Sequence, residues 1–175
     1  MCQLCIKNKS EPIQTGAIGS NMPTEKSAGA VLFRIEKGKI KYLLLYKKKH
    51  LQYNESWDFP KGNVEEKSEI DTVKREIKEE TGIVDLTLIQ SFKETLTFFY
   101  MKDKDRVFKI VNVYLCKTNE PKVTISKEHD NYKWCTYEEA LNLASYKDSK
   151  EVIRKANNFL SRRGKIETFT GGNKV

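Results

Sequence analysis

Cysteine is scarce in this chain of 175 residues: there are four, at positions 2, 5, 116 and 135. Cys2 and Cys5 form a C-x-x-C pair, but no second pair lies near it, and His50, His129, Cys116 and Cys135 are scattered. A structural zinc needs four converging ligands, so free thiols are the expectation. No signal-peptide pattern precedes the cysteines, which gives a reduced, cytoplasmic protein as the default. Long apolar runs are missing too, so no segment approaches bilayer length and no membrane partner is expected. Prolines number only four, no internal repeat or low-complexity tract occurs, and the aromatic content is that of a globular chain. No Ser-His or Cys-His relay stands out in the sequence. Acid is in deficit: 24 Asp and Glu face 32 Lys and Arg, leaving a formal charge of +8. Such a balance favours nucleotides, polyphosphates or RNA as partners, or serves solubility alone. There is no basic run with interleaved aromatics long enough to track a nucleic acid.

What is present reads as one domain with tails, long enough to bury a core without staples. Residues 1–25 and 164–175 are expected to be flexible tails around a domain at 26–163. "SAGAVLFRI" (27–35) and "KIKYLLLYK" (39–47) are strand-like around a turn at Gly38. "WDFPKGN" (57–63) reads as a loop punctuated by Pro60 and Gly62. Ile70, Val73 and Ile77 recur at helical spacing over 69–81, and Gly82 fits the stop. Strand-like runs follow at about 84–92, 94–101 and 107–117, with "KDKD" (102–105) as a hairpin turn, and "YKWCT" (132–136) is a further short strand. Helical patterns near 137–145 and 148–162 close the domain, the last with Val152, Ala156, Phe159 and Leu160 on one face. Strands and helices that do not strictly alternate predict an α/β sandwich with a mixed sheet.

The segment "KREIKEETGI" (74–83) poses a physical conflict. At ~100° per residue, Glu76, Glu79 and Glu80 share an arc of about 100°, beside an apolar arc of about 60°. Like charges at i, i+3 and i+4 repel, and the C-terminal half of a helix disfavours anions. A hard divalent cation would resolve the conflict, since Mg²⁺ takes carboxylates, waters and substrate phosphates as ligands. The alternative is a solvated acidic face partnered by Lys74 and Lys78.

Read from Gly62 to Ile83, "GNVEEKSEIDTVKREIKEETGI" resembles the Nudix box, G-x5-E-x7-R-E-U-x-E-E-x-G-U with U a bulky apolar residue. Arg75, Glu76, Ile77, Glu79, Glu80, Gly82 and Ile83 match every specified position of its second half. The first half is one residue short: counted from Gly62 the box glutamate falls on Ser68, and counted back from Arg75 on Lys67, with Glu66 and Glu69 flanking the gap. Further segments, "WDFPKGNVE", "SFKETL", "ISKEHDNYKW" and "YEEAL", follow the order of the asymmetrical diadenosine tetraphosphate hydrolases, a Nudix subgroup, over about residues 26–162. Asn63 stands where that subgroup usually carries histidine.

The resemblance implies a Nudix fold, an α/β/α sandwich with a mixed sheet, and Mg²⁺- or Mn²⁺-dependent cleavage of a phosphoanhydride. It implies Glu76 and Glu80 as principal metal ligands and Glu79 as a further ligand or the base. Arg75 would orient a box glutamate through its planar fork. Gly62 would offer a carbonyl to the metal, and Glu128 would complete the site from a loop. His129 beside it is expected to be structural or exposed. Lys61 and Lys109 are the candidates for substrate phosphates, and Phe99, Tyr100 and Tyr132 for stacking on adenine. Trp57 and Trp134 suit the core or a loop anchor. The expected reaction is asymmetric hydrolysis of a dinucleoside polyphosphate, diadenosine tetraphosphate giving ATP and AMP. The rivals are a 5′-triphosphorylated or capped RNA end, a diphosphoinositol polyphosphate, or a non-catalytic nucleotide-binding module of the same fold.

Overall fold

The computed structural model describes residues 22–49, 54–65 and 68–170, the stretch 163–170 as backbone only. Cys2, Cys5, His50, Glu66, Lys67 and the ends of both expected tails lie outside the described residues. Strand β1 (Thr24–Glu36) turns at Lys37 and Gly38 into β2 (Lys39–Lys47). Two three-residue strands follow, β3 (Ser56–Asp58) and β4 (Lys61–Asn63), then helix α1 (Glu69–Thr81). A long hairpin comes next, β5 (Thr87–Lys102) and β6 (Asp105–Lys117), then β7 (Asn131–Cys135), α2 (Tyr137–Leu143) and α3 (Lys147–Thr170).

The seven strands form one mixed sheet of order β3-β2-β1-β6-β5, with β4 pairing β1 and β7 pairing β2. β1 runs parallel to β6 and antiparallel to its other partners. Alternation along β1 and β2 divides the core into two. Ala28, Ala30, Leu32, Leu43 and Leu45 pack with Val73, Ile77 and Ile83 on the α1 side. Val31, Phe33, Tyr42 and Leu44 pack with Ala140, Val152, Ile153 and Ala156 on the α2 and α3 side. A helix layer on each face makes this an α/β/α sandwich.

Helix α1 has the predicted bounds because both ends are specified chemically. Ser68 caps the start, its hydroxyl accepting from the Ile70 N–H at 3.2 Å. Gly82 ends it at φ 72°, donating its N–H to the Lys78 carbonyl at 2.9 Å. Ser68, a position where counting could place a box glutamate, therefore belongs to the cap.

Two expectations need correction. "WDFPKGN" is not simply a loop: β3 adds to β2 and β4 adds to β1, on either side of Pro60. The runs at 84–92 and 94–101 are one strand, β5, whose register against β6 shifts between Leu88 and Lys93. β1 begins at Thr24 and α3 continues to Thr170, each a few residues beyond the expected domain edges at 26 and 163.

Candidate active site

The acidic side of α1 splits in two. Glu76 and Glu80 turn inward and each is only 8% exposed, beside the buried Val73 and Ile77, while the Glu79 side chain is 57% exposed. Strand β4 brings the inward pair close to the backbone. A Cβ placed on Gly62 would lie 2.1 Å from Oε1 and 2.2 Å from Oε2 of Glu76, so any side chain there would displace that carboxylate. The Lys61 N–H donates to Glu80 Oε2 at 3.2 Å. Arg75 Nη1 stands 2.7 Å from Glu76 Oε1 and 2.9 Å from Glu79 Oε2, and its Nη2 donates to the Asn63 carbonyl at 3.0 Å. One guanidinium thereby ties two carboxylates of α1 to the end of β4.

Burial dominates the electrostatics. It pushes the Glu80 carboxyl up to about 8; Lys61 offsets part of the shift, and the charges of Glu76 and Glu128 add to it. Glu76 is also raised by burial, partly against the pull of Arg75. The His129 imidazole is pulled down by burial, with Nε2 3.9 Å from Glu80 Oε1 and Nδ1 buried without a hydrogen-bond partner among the described residues. Glu128 reaches out from its loop, its side chain 71% exposed and 3.8 Å from Lys47 Nζ.

Two neighbouring cavities open here. The smaller, about 210 Å³, is lined by Glu80, Glu128, His129, Asp58 and Lys61 among others. The larger, about 1060 Å³, shares Asp58, Phe59, Lys61 and Tyr146 with it and extends over the α3 face of the sheet to Leu96, Phe98, Tyr100 and Lys109. Strand β4 is the wall between α1 and this larger space, since Gly62 faces Glu76 while Asn63 and Lys61 line the cavity.

The predicted lysines arrive with partners. Lys61 pairs with Asp58, and Lys109 Nζ donates to Glu25 Oε2 at 3.0 Å and Asn63 Oδ1 at 2.8 Å. Tyr100 lines the large cavity but its hydroxyl donates to Glu25 at 2.6 Å. Phe99 lies on the other side of β5, against Phe108 and under Arg106, and neither it nor Tyr132 lines either cavity. Trp134 anchors a loop by donating to the Pro121 carbonyl at 3.2 Å, and Trp57 packs against the core. Sequence reasoning missed Glu25, Asp58, Phe98 and the inward face of His129. For Glu25 and Phe98 the signal was strand parity: Glu25 lies six residues before Val31, and Phe98 two after Leu96.

Whether these residues suit a divalent ion is decided by their donor set. Among the described residues no three acidic, histidine or cysteine side chains stand as a finished cage. The inward carboxylates are nevertheless all oxygen donors, held one turn apart on a helix and out of water, and burial raises both carboxyls. That matches a hard cation that retains waters and shares substrate oxygens. Glu80 and the loop acid Glu128 line the smaller cavity together, and Glu76 lies one helical turn before Glu80 on α1.

The family follows from this arrangement and from the match of residues 23–156 to the NUDIX domain model: the chain belongs to the Nudix family. It is 38% identical over 143 residues to the asymmetrical bis(5′-nucleosyl)-tetraphosphatase of Caenorhabditis elegans, covering 78% of this chain and 96% of that one. The enzyme of the same name from Sus scrofa is 32% identical over 77% of this chain and 95% of its own length. Among solved structures, a C. elegans Ap4A hydrolase binary complex superposes with a TM-score of 0.67 at 37% identity, over 78% of this chain and 98% of that one.

Proposed function

We propose that this protein is a divalent-metal-dependent hydrolase that cleaves dinucleoside polyphosphates asymmetrically, diadenosine tetraphosphate giving ATP and AMP. The observation that carries the reading is the buried Glu76 and Glu80 pair beside Gly62, with Glu80 lining the smaller cavity that adjoins one large enough for a nucleotide. The named relatives act, by their names, on bis(5′-nucleosyl) tetraphosphates, and they cover nearly their full length in the match.

Nudix hydrolases generally require a divalent metal. We assign Mg²⁺ or Mn²⁺ here, held by Glu76, Glu80 and Glu128 with the Gly62 carbonyl as a further donor; when bound, such an ion neutralises phosphate charge and acidifies water. The chain's own residues do the rest. Arg75 fixes the carboxylates of Glu76 and Glu79 against β4. Glu79, alone of the three accessible to solvent, is the proton acceptor or an additional ligand. Lys61 and Lys109 hold ammonium groups along the cavity for the phosphates, Lys109 through the one N–H beyond those given to Glu25 and Asn63, and Tyr100 with Phe98 offers rings to a base. Water adds its oxygen to one phosphorus, the anhydride bridge to the next phosphate breaks, and AMP and ATP depart.

The cavity also weighs among the rivals. Its lining sets Lys61, Lys102 and Lys109 against Glu25, Asp58, Asp103 and Asp148. The surplus of positive charge is therefore not gathered there, which favours a metal-neutralised dinucleotide over a diphosphoinositol polyphosphate or an RNA end. The free buried thiols of Cys116 and Cys135 support a reduced, cytoplasmic setting, and no helix among the described residues is long and apolar enough to cross a membrane.

The test is turnover of diadenosine tetraphosphate with Mg²⁺ in ¹⁸O-water, with the products weighed by mass spectrometry beside 5′-triphosphate RNA. Formation of ATP and AMP with one label is expected. Faster release of pyrophosphate from RNA, or nucleotide binding with no product, would replace the reading.

A further inference from the structure

Glu25 collects three donors on one carboxylate: the Tyr100 hydroxyl at 2.6 Å, Lys102 Nζ at 2.8 Å and Lys109 Nζ at 3.0 Å. The sheet register creates this convergence. In the parallel β1–β6 ladder Glu25 stands opposite Lys109, and in the β5–β6 hairpin Lys109 stands opposite Phe98, with Tyr100 two residues on along the same face. Glu25, Tyr100, Lys102 and Lys109 all line the large cavity. Two of the cavity's three lysines are therefore bound to a carboxylate of the protein itself, and the third, Lys61, is paired with Asp58.

We propose that Glu25 sets the length of phosphate chain the enzyme accepts: its carboxylate occupies the ammonium groups of Lys102 and Lys109 that an additional substrate phosphate would need. A phosphate reaching this end of the cavity must either displace Glu25 or lie beside its charge. Both are costly because the carboxylate, its side chain 25% exposed, already accepts three hydrogen bonds, two of them from ammonium groups. Longer chains are thereby penalised relative to shorter ones, by repulsion built into the site. Glu25 acts through the two lysines, so it is a positioning residue, and its effect falls on substrate affinity.

The inference rests on the hydrolase reading, and the experiment separates the two. Diadenosine tri-, tetra-, penta- and hexaphosphate are compared as substrates of wild-type protein, E25Q, E25D and E25Q/K102M. In E25Q the ratio of kcat/KM for hexaphosphate over tetraphosphate is expected to rise about fivefold or more, through KM. E25D keeps the charge and should return the ratio to that of the wild type, and E25Q/K102M should lower it again by removing a freed ammonium. An unchanged ratio in E25Q, or an equal loss of kcat at every length, overturns the proposal. In parallel, isothermal titration with inorganic tripolyphosphate and pyrophosphate reads the same preference without catalysis. A wild-type protein that hydrolyses no member of the series defeats the hydrolase reading. Tripolyphosphate bound no better relative to pyrophosphate by E25Q than by wild type defeats the role of Glu25.

Discussion

Glu80 carries the account at the scale of the residue. Its carboxyl, pushed up to about 8 chiefly by burial, is ionised at a cost that a bound cation would relieve. A raised carboxyl takes up its proton more tightly in the folded than in the unfolded chain, so it lowers stability as pH rises from about 4.5 to about 8, and the full penalty persists above that. The metal-free protein should therefore melt lower at pH 8.5 than at pH 6. E80Q should flatten that slope and raise Tm at pH 8.5 by roughly 3–10 °C, from about 1–3 kcal/mol. The same variant should lose turnover by about a thousandfold while remaining folded. Calorimetry in EDTA and steady-state kinetics check the two halves. Gly62 is equally specific. G62A drives a Cβ into the Glu76 carboxylate, 2.1 Å from its Oε1, and should cost about 1–3 kcal/mol in urea unfolding together with most of the activity.

At the scale of the element, α1 and the segment before it show what a sequence discloses. The bounds of α1 were legible because the apolar spacing and Gly82 act locally, while the Ser68 cap went unread. G82A should cost about 1–2 kcal/mol, since φ 72° disfavours a side chain and the new Cβ would sit 3.2 Å from Thr124 Cβ; denaturant midpoints read this directly. Strands β3 and β4 were not legible. Three residues carry no periodicity, and both strands exist because β2 and β1 offer pairing partners distant in the chain. The bulge in β5 was hidden for the same reason, since its register is set by β6.

For the molecule as a whole, the sandwich places the acidic helix on one face of the sheet and the large cavity on the other, with β4 between them. The acidic trio of α1 was legible as residue types at a spacing, but not its division into two buried acids and one exposed, which depends on how α1 rolls against Gly62. Of the three candidate rings, Tyr100 lines the large cavity and Phe99 does not, because strand parity along β5 decides which ring points inward, and Tyr132 on β7 lines neither cavity. Net charge was the least informative guide. A total of +8 coexists with a cavity that carries three lysines and four carboxylates.

Titration with Mn²⁺ followed by electron paramagnetic resonance, on wild-type protein and on E76Q/E80Q with matching circular dichroism, puts the central claim to its most direct test. The paired buried carboxylates predict a wild-type site whose affinity falls at least about tenfold in the double variant. Equal Mn²⁺ affinity in the two proteins would contradict the account.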